Sequence, residues 1–278
     1  MTAEAYAKVN LTLEVFGRRP DGFHALRSVV QPIELADTLS FESFPDGKIE
    51  SDTGYGEADL AVRAARALRS AAFPGGSASP GVRIKVVKRI PAGGGLGGGS
   101  ADAAATLVAL NALWGAGLSV EELCVIGASV GSDVPALVLA HSLRGPVMME
   151  GRGELVRPLS ADERSRLGRR VHMVLANPGV ESSTAEAYAG CSPRERPLAD
   201  PLASPVNDLQ GVACRLHPEI SSALDALAAS GADGVMMSGS GATVFGFASD
   251  AAAAGRIAAA VRERGFLAWS TRIRQYVA

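Results

Sequence analysis

Lysine is nearly missing from this chain. Only four of its 27 basic residues are lysines, Lys8, Lys48, Lys85 and Lys88, and none follows position 88. That removes the Walker A phosphate loop, whose glycines end on a lysine. Neither an HRD nor a DFG tripeptide occurs, which removes the protein-kinase catalytic set. Cysteine is also scarce: Cys124, Cys191 and Cys214 form no CxxC pair, and an odd number leaves at least one unpaired within the chain, so a reducing compartment is expected. No apolar run approaches the roughly 20 residues that a bilayer span needs; Val134 to Ala140 is among the longest. The opening MTAEAYAKVN lacks a basic region followed by an apolar one. These absences predict a soluble cytoplasmic protein. The formal net charge is -2, which gives no general reason to seek nucleic acid or an anionic membrane, so any phosphate binding must be local.

What is present is enough apolar material, 47% of 278 residues, for one large or two ordinary domains; two are expected, residues 1–160 and 161–278. Residues 5–16 and 24–44 read as strands around the turn signal ArgProAspGly at 19–22. A helical period over 57–73 is followed by a strand at 82–87. Ser100 is expected to cap a helix through ADAAATLVALNALW, and Ser119 with Glu122 to form a capping box. The charged stretch 159–170 reads as a loop and domain boundary, because a new β pattern, VHMVLANPG, follows it. Helices near 183–190, 205–216 and 218–229, strands at 234–238 and 242–247, an alanine-rich helix and a closing strand complete a mixed, antiparallel second half.

The most informative segment is PAGGGLGGGS at 91–100. It leaves a strand and enters a helix, aiming backbone N–H groups and the positive helix end at one point, which makes an anion site. Six glycines in seven positions let the backbone wrap closely around a phosphate. Gly93, Gly95 and Gly98 also satisfy GxGxxG, but the ninety residues before them do not open a parallel αβ domain. Some 20 residues on comes the helix start at Glu121 and Glu122, not an acidic strand end. Among the lysines, Lys48, Lys85 and Lys88 read as ordinary strand or loop residues. Lys8 stands between apolar residues in AYAKVNLTLEV; on position alone a lysine on a strand's polar face is the simpler reading.

Pro91, Gly95, Leu96, Gly97 and Ser100 together resemble the central motif of the galactokinase, homoserine, mevalonate and phosphomevalonate (GHMP) kinase superfamily, and AKVNLTLEV and SerGlySerGlyAlaThr at 238–243 agree with it in order. Within that superfamily the chain resembles the 4-diphosphocytidyl-2-C-methyl-D-erythritol kinases nearly end to end. The likeness runs through Lys8, Asn10 and Leu11; Gly17, Arg18 and Arg19; AspGlyPheHis at 21–24; Asp37; Pro91 to Ser100; GlySerAspValPro at 131–135; GluGlyArgGlyGlu at 150–154; AsnProGly at 177–179; and AsnAspLeu at 207–209. AspGlyPheHis discriminates best, standing where that family has AspGlyTyrHis.

The resemblance implies an α+β, two-domain GHMP-kinase fold, with an N-terminal ribosomal-protein-S5-domain-2-like domain, a C-terminal ferredoxin-like α/β sandwich and a site in the cleft between them. It implies ATP with Mg²⁺ as cofactors, a cytidine diphosphate sugar alcohol as small-molecule substrate, and a monomer or homodimer. Asp133 would be the general base and Lys8 its partner. Pro91, Ala92, Gly93, Gly94, Gly95, Leu96, Gly97, Gly98, Gly99, Ser100 and Ala101 would bind the phosphates, and Asp59, where the family has asparagine, the adenine. Asn10 would orient the sugar-alcohol end, Phe23 and Tyr188 would flank the cytosine, and His24 would hydrogen-bond its edge. For Mg²⁺ no protein ligand is assigned; Ser100 and Asp133 are the candidates.

Overall fold

The structure, a computed structural model, describes residues 1–44, 46–75, 80–168 and 170–274. Its first half is built around a long hairpin, β1 (Thr2–Arg18) and β2 (His24–Phe44), paired antiparallel and closed by a turn in which the Arg19 and Gly22 N–H groups bond to Phe23 and Arg19 carbonyls. The short β3 (Ile49–Ser51), helix α1 (Leu60–Ala72) and β4 (Gly81–Val87) follow. Next come α2 (Gly98–Leu113), α3 (Val120–Val130), α4 (Val134–Leu143), β5 (Val147–Gly151) and β6 (Leu155–Pro158). The sheet order is β3-β4-β2-β5-β6, with β1 on β2. Helix α2 buries Ala101, Ala103, Ala104, Ala105, Leu107, Ala109 and Leu110; a helix apolar on so many sides belongs inside the core.

After α5 (Ala161–Arg166), the second half runs β7 (His172–Asn177), α6 (Thr184–Ala189), α7 (Gln210–Leu216), α8 (Pro218–Ala229), β8 (Asp233–Met237), β9 (Val244–Ala248), α9 (Ala251–Glu263) and β10 (Leu267–Arg272). Its sheet is antiparallel throughout, order β10-β7-β9-β8. The two halves share apolar packing: Met173, Leu175 and Phe245 of the second sheet join the first core, while Leu13 and Val15 of β1 join the second.

In β1 the polar residues Lys8, Asn10, Thr12 and Glu14 alternate with Val9, Leu11, Leu13 and Val15, and all eight are buried. A half-solvated strand would leave the polar set in water. Here that set is paired instead, Glu14 with Arg27 at 2.6 Å and with the Leu198 N–H at 2.7 Å, and the Thr12 hydroxyl with the Val206 carbonyl at 3.3 Å. The segment before α7 lies along the strand, with Asp208 receiving the Val15 N–H and both arms of Arg194.

Three expectations need correction. Ser100 does not cap α2. The helix begins at Gly98, its N-cap is Gly97 at φ 69°, and no side chain caps it, because the left-handed glycine turns the chain into the helix directly. Residues 159–170 are not all loop, since Ser160 and Glu163 close a capping box on α5. The helix expected from 205 starts only at Gln210, because the Asn207 side chain is engaged with the Met237 and Gly239 carbonyls, both at 2.8 Å. Helix α4 and strands β3, β5 and β6 lie outside the elements expected from the sequence.

Candidate active site

Strand β1 delivers Lys8 to the glycine loop: the Lys8 N–H donates to the Leu96 carbonyl at 3.0 Å. The residue is buried, 3% exposed. Its Nζ donates to Asn10 Oδ1 at 2.7 Å and lies 3.2 Å from Asp133 Oδ2. Asn10 Nδ2 donates to Ser28 Oγ at 2.7 Å, and Ser28 Oγ in turn donates to the Thr12 carbonyl at 2.6 Å. The amide expected on the substrate also holds the lysine. Asp133 occupies the N-cap of α4 yet makes no capping hydrogen bond; its carboxylate, 28% exposed, faces Lys8 instead.

The loop itself is folded back against the second half. The Thr243 N–H donates to the Gly94 carbonyl at 3.1 Å and Ser238 Oγ to the Gly95 carbonyl at 3.0 Å. Asn177, at the end of β7, secures that turn by donating to Thr243 Oγ1 at 2.9 Å. Two glycines are required by space as well as by φ. A Cβ on Gly95 (φ 71°) would lie 2.2 Å from the Ser238 carbonyl oxygen, and one on Gly97 (φ 69°) would lie 3.0 Å from Lys8 Cε. The first helical N–H groups after Gly97, at Gly98, Gly99 and Ser100, have no i−4 acceptor within the helix and no side-chain cap, so they are free for an anion.

The residues of the expected phosphate segment differ in exposure. The Leu96 side chain is fully buried, Ala101 is buried with its N–H already donated to the Gly97 carbonyl at 2.8 Å, and Ala92 and Gly93 are exposed. Asp59 is likewise committed: it caps α1 through the Ala61 N–H at 2.8 Å and accepts from Thr53 Oγ1 at 2.5 Å. It stays near the loop, for the next residue, Leu60, lies against Gly99.

At the tip of the hairpin His24 and Tyr188 come together edge to face, ring centroids 5.7 Å apart. Burial, and then the Arg18 charge, hold the His24 imidazole below its ordinary value, and its Nδ1 is buried without a protein partner. Burial pushes the Tyr188 phenol up, with the Asp133 charge adding to the effect. Phe23 is 56% exposed, with the Arg152 guanidinium 5.3 Å from its ring centroid.

Sequence reasoning missed Lys88. It ion-pairs with Asp37 at 2.5 Å and hydrogen-bonds Asp102 at 2.6 Å, immediately before the loop. Burial pushes the Asp102 carboxyl up to about 7 against the pull of that ammonium. The signal lay in strand register, where Thr38 faces Val87 across β2 and β4 and so puts their neighbours Asp37 and Lys88 side by side. Among the described residues no group of three His, Cys, Asp or Glu side chains forms a metal cluster, and no helix is long and apolar enough to cross a membrane.

A hairpin lysine and an α4 aspartate thus meet beside an uncapped, glycine-led helix, with a second glycine turn braced against its loop. Models of the GHMP kinase N-terminal and C-terminal domains match residues 59–141 and 195–266. A mevalonate kinase structure aligns over 99% of both chains with TM-score 0.72 at 13% identity, a likeness of fold alone. A 4-diphosphocytidyl-2-C-methyl-D-erythritol kinase from Moorella thermoacetica is 40% identical over 95% of each chain, and one from Aromatoleum aromaticum is 41% identical over 96% of this chain and 91% of its own. The crystal structure of a 4-(cytidine 5'-diphospho)-2C-methyl-D-erythritol kinase superposes over 99% of both chains, with TM-score 0.82 and 37% identity. The chain belongs to the 4-diphosphocytidyl-2-C-methyl-D-erythritol kinase family.

Proposed function

We propose that this protein transfers the γ-phosphoryl group of ATP to the 2-hydroxyl of 4-(cytidine 5'-diphospho)-2-C-methyl-D-erythritol, giving ADP and the 2-phosphate, in the non-mevalonate route to isoprenoids. The observation that carries the reading is the buried Lys8 ammonium 3.2 Å from the Asp133 carboxylate beside the glycine loop. Phosphoryl transfer needs the incoming hydroxyl held in line, a receiver for its proton, and positive charge around the transferred group. Asp133 receives the proton. As it does so, the substrate oxygen bonds to the γ-phosphorus and the bond from that phosphorus to the β–γ bridging oxygen breaks, with ADP leaving.

Lys8 has a third donor free for the developing phosphoryl charge, two of its three being directed at Asn10 and Asp133. Asn10 acts as a positioning residue for Lys8. The N–H groups of Gly98, Gly99 and Ser100 take the phosphate oxygens. His24, neutral at pH 7, hydrogen-bonds the cytosine edge between Tyr188 and Phe23. Asp59, already a helix cap, shapes the adenine end through the start of α1. Mg²⁺ supplies charge neutralisation when bound with ATP; the nearby oxygen groups suited to it are Asp133 and Ser100, and a magnesium ion commonly keeps several waters besides. We take residues 1–160 as the part carrying the loop and 161–278 as the part bracing it, in a cytoplasmic enzyme acting as monomer or homodimer.

An assay coupling ADP release to a readout, run with the cytidine diphosphate alcohol, mevalonate and homoserine, tests the reaction. Turnover confined to the first supports it; preferred turnover of another alcohol overturns it.

A further inference from the structure

The glycine loop has almost no side chains with which to hold its own shape. Its polar anchors lie outside it, and one set forms a closed bridge around both ends. Asp37 on β2 is fully buried. Its Oδ1 accepts the N–H groups of Arg89 and Ile90, the latter at 2.8 Å, the two residues directly before Pro91. The same carboxylate holds Lys88 at 2.5 Å, and Lys88 reaches across the loop to Asp102, in the second turn of α2, at 2.6 Å. On the way its Nζ passes over Gly98, the first residue of that helix. Upstream strand, downstream helix and underlying sheet are thus tied through one ammonium.

Two observations argue that the bridge serves the loop rather than the core. A fully buried carboxylate is expensive unless paired and hydrogen-bonded, and the partners of Asp37 include Lys88 and the Arg89 and Ile90 N–H groups, in the segment that sets where the loop begins. Lys88 is also 34% exposed in its side chain, so it is not there to fill the interior. We infer that Asp37 is a positioning residue for nucleotide binding: through Lys88 and the 89–90 N–H groups it locks the two ends of the glycine loop so that the N–H groups after Gly97 are preset for phosphate. Presetting a site spares the ordering that binding would otherwise demand.

The inference rests on the kinase reading only for the nucleotide used. Calorimetry of ATP binding to the full chain, without alcohol, tests it. Asp37→Asn keeps the shape and an acceptor but removes the charge; it is expected to raise the ATP Kd roughly tenfold, the scale of one charge-assisted hydrogen bond. In the steady-state assay the KM for the alcohol should stay within about twofold. Lys88→Met should match it, the double variant should be no worse than the poorer single one, and Lys88→Arg should restore part of the loss. Lys85→Met, an exposed neighbour on β4, should change nothing.

An unchanged ATP Kd in Asp37→Asn, with a loss in Lys88→Met alone, would overturn the inference, because Lys88 would then act on the nucleotide without Asp37. Equal increases in the constants for ATP and alcohol would overturn it too, since a general loosening does that. If Asp37→Asn does not fold, Asp102→Asn and Lys88→Met carry the same test from the other end of the bridge. Wild-type chain that binds ATP but leaves the alcohol untouched would contradict the proposed reaction and leave this inference standing.

Discussion

Two lysines flank the glycine loop, and their surroundings differ. Lys8 is buried to 3% exposure and meets one carboxylate and one amide; Lys88 is partly exposed and meets two carboxylates. Lys88 is held between two acidic side chains, which suits an ammonium used as a fastener. Lys8 has a single, partly open carboxylate and a spare donor, which suits one waiting for a second anion. The residue type is the same; what separates structural from chemical work is how much of its charge the protein has already satisfied.

The sharpest way to break this contrast is at the partners. Asp133→Ala should lower kcat by about 10²–10⁴-fold, the usual worth of a positioned base, and should also lower the melting temperature, since it leaves the buried Lys8 ammonium without its carboxylate; steady-state kinetics on the folded variant and thermal melting check both. Lys8→Met should cost kcat on the order of 10²-fold, as expected for one preorganised electrostatic donor. Gly95→Ala should lower kcat/KM for ATP by roughly 10²-fold through displacement of the loop, because its Cβ would meet the Ser238 carbonyl oxygen.

His24→Ala should have the smallest effect, about tenfold on the KM of the cytidine substrate and little on that of ATP, the scale of one unmade hydrogen bond. The His24 imidazole is held below 6.5 by burial and Arg18. It therefore contributes nothing to pH-dependent stability at pH 7 and above, and destabilises the folded chain as pH falls from 6.5 through its lowered value. An NMR titration should give a midpoint under 6.5, and the KM for the cytidine substrate should stay flat from pH 7 upward and rise on acidification.

Much of this was legible in local grammar. The hairpin, the strand before the loop and the Ser119 capping box follow from period and turn chemistry, and PAGGGLGGGS declares an anion site by itself. What escaped was tertiary or competed locally. Ser160 and Glu163 carry the same capping-box spacing as Ser119 and Glu122, but the surrounding charges made the segment read as loop. Ser100 looks like a cap until Gly97 proves able to turn the chain without one. Lys88 read as a plain strand lysine because its partners stand 51 residues before and 14 residues after it; only strand register and the helix behind the loop bring them together. For Asn10, expected at the sugar-alcohol end, and Asp59, expected at the adenine, the sequence did not show the protein partners they also have, Lys8 and Ser28 for the first and Thr53 and Ala61 for the second.

The central claim is that Lys8 and Asp133 work as one unit on the transferred phosphoryl group. A double-mutant cycle in kcat with Lys8→Met and Asp133→Asn tests it directly. If the pair acts together, the double variant should be within about threefold of the poorer single variant, the strong non-additivity of residues that act as a unit. Losses that multiply would contradict the claim and make the two residues independent contributors.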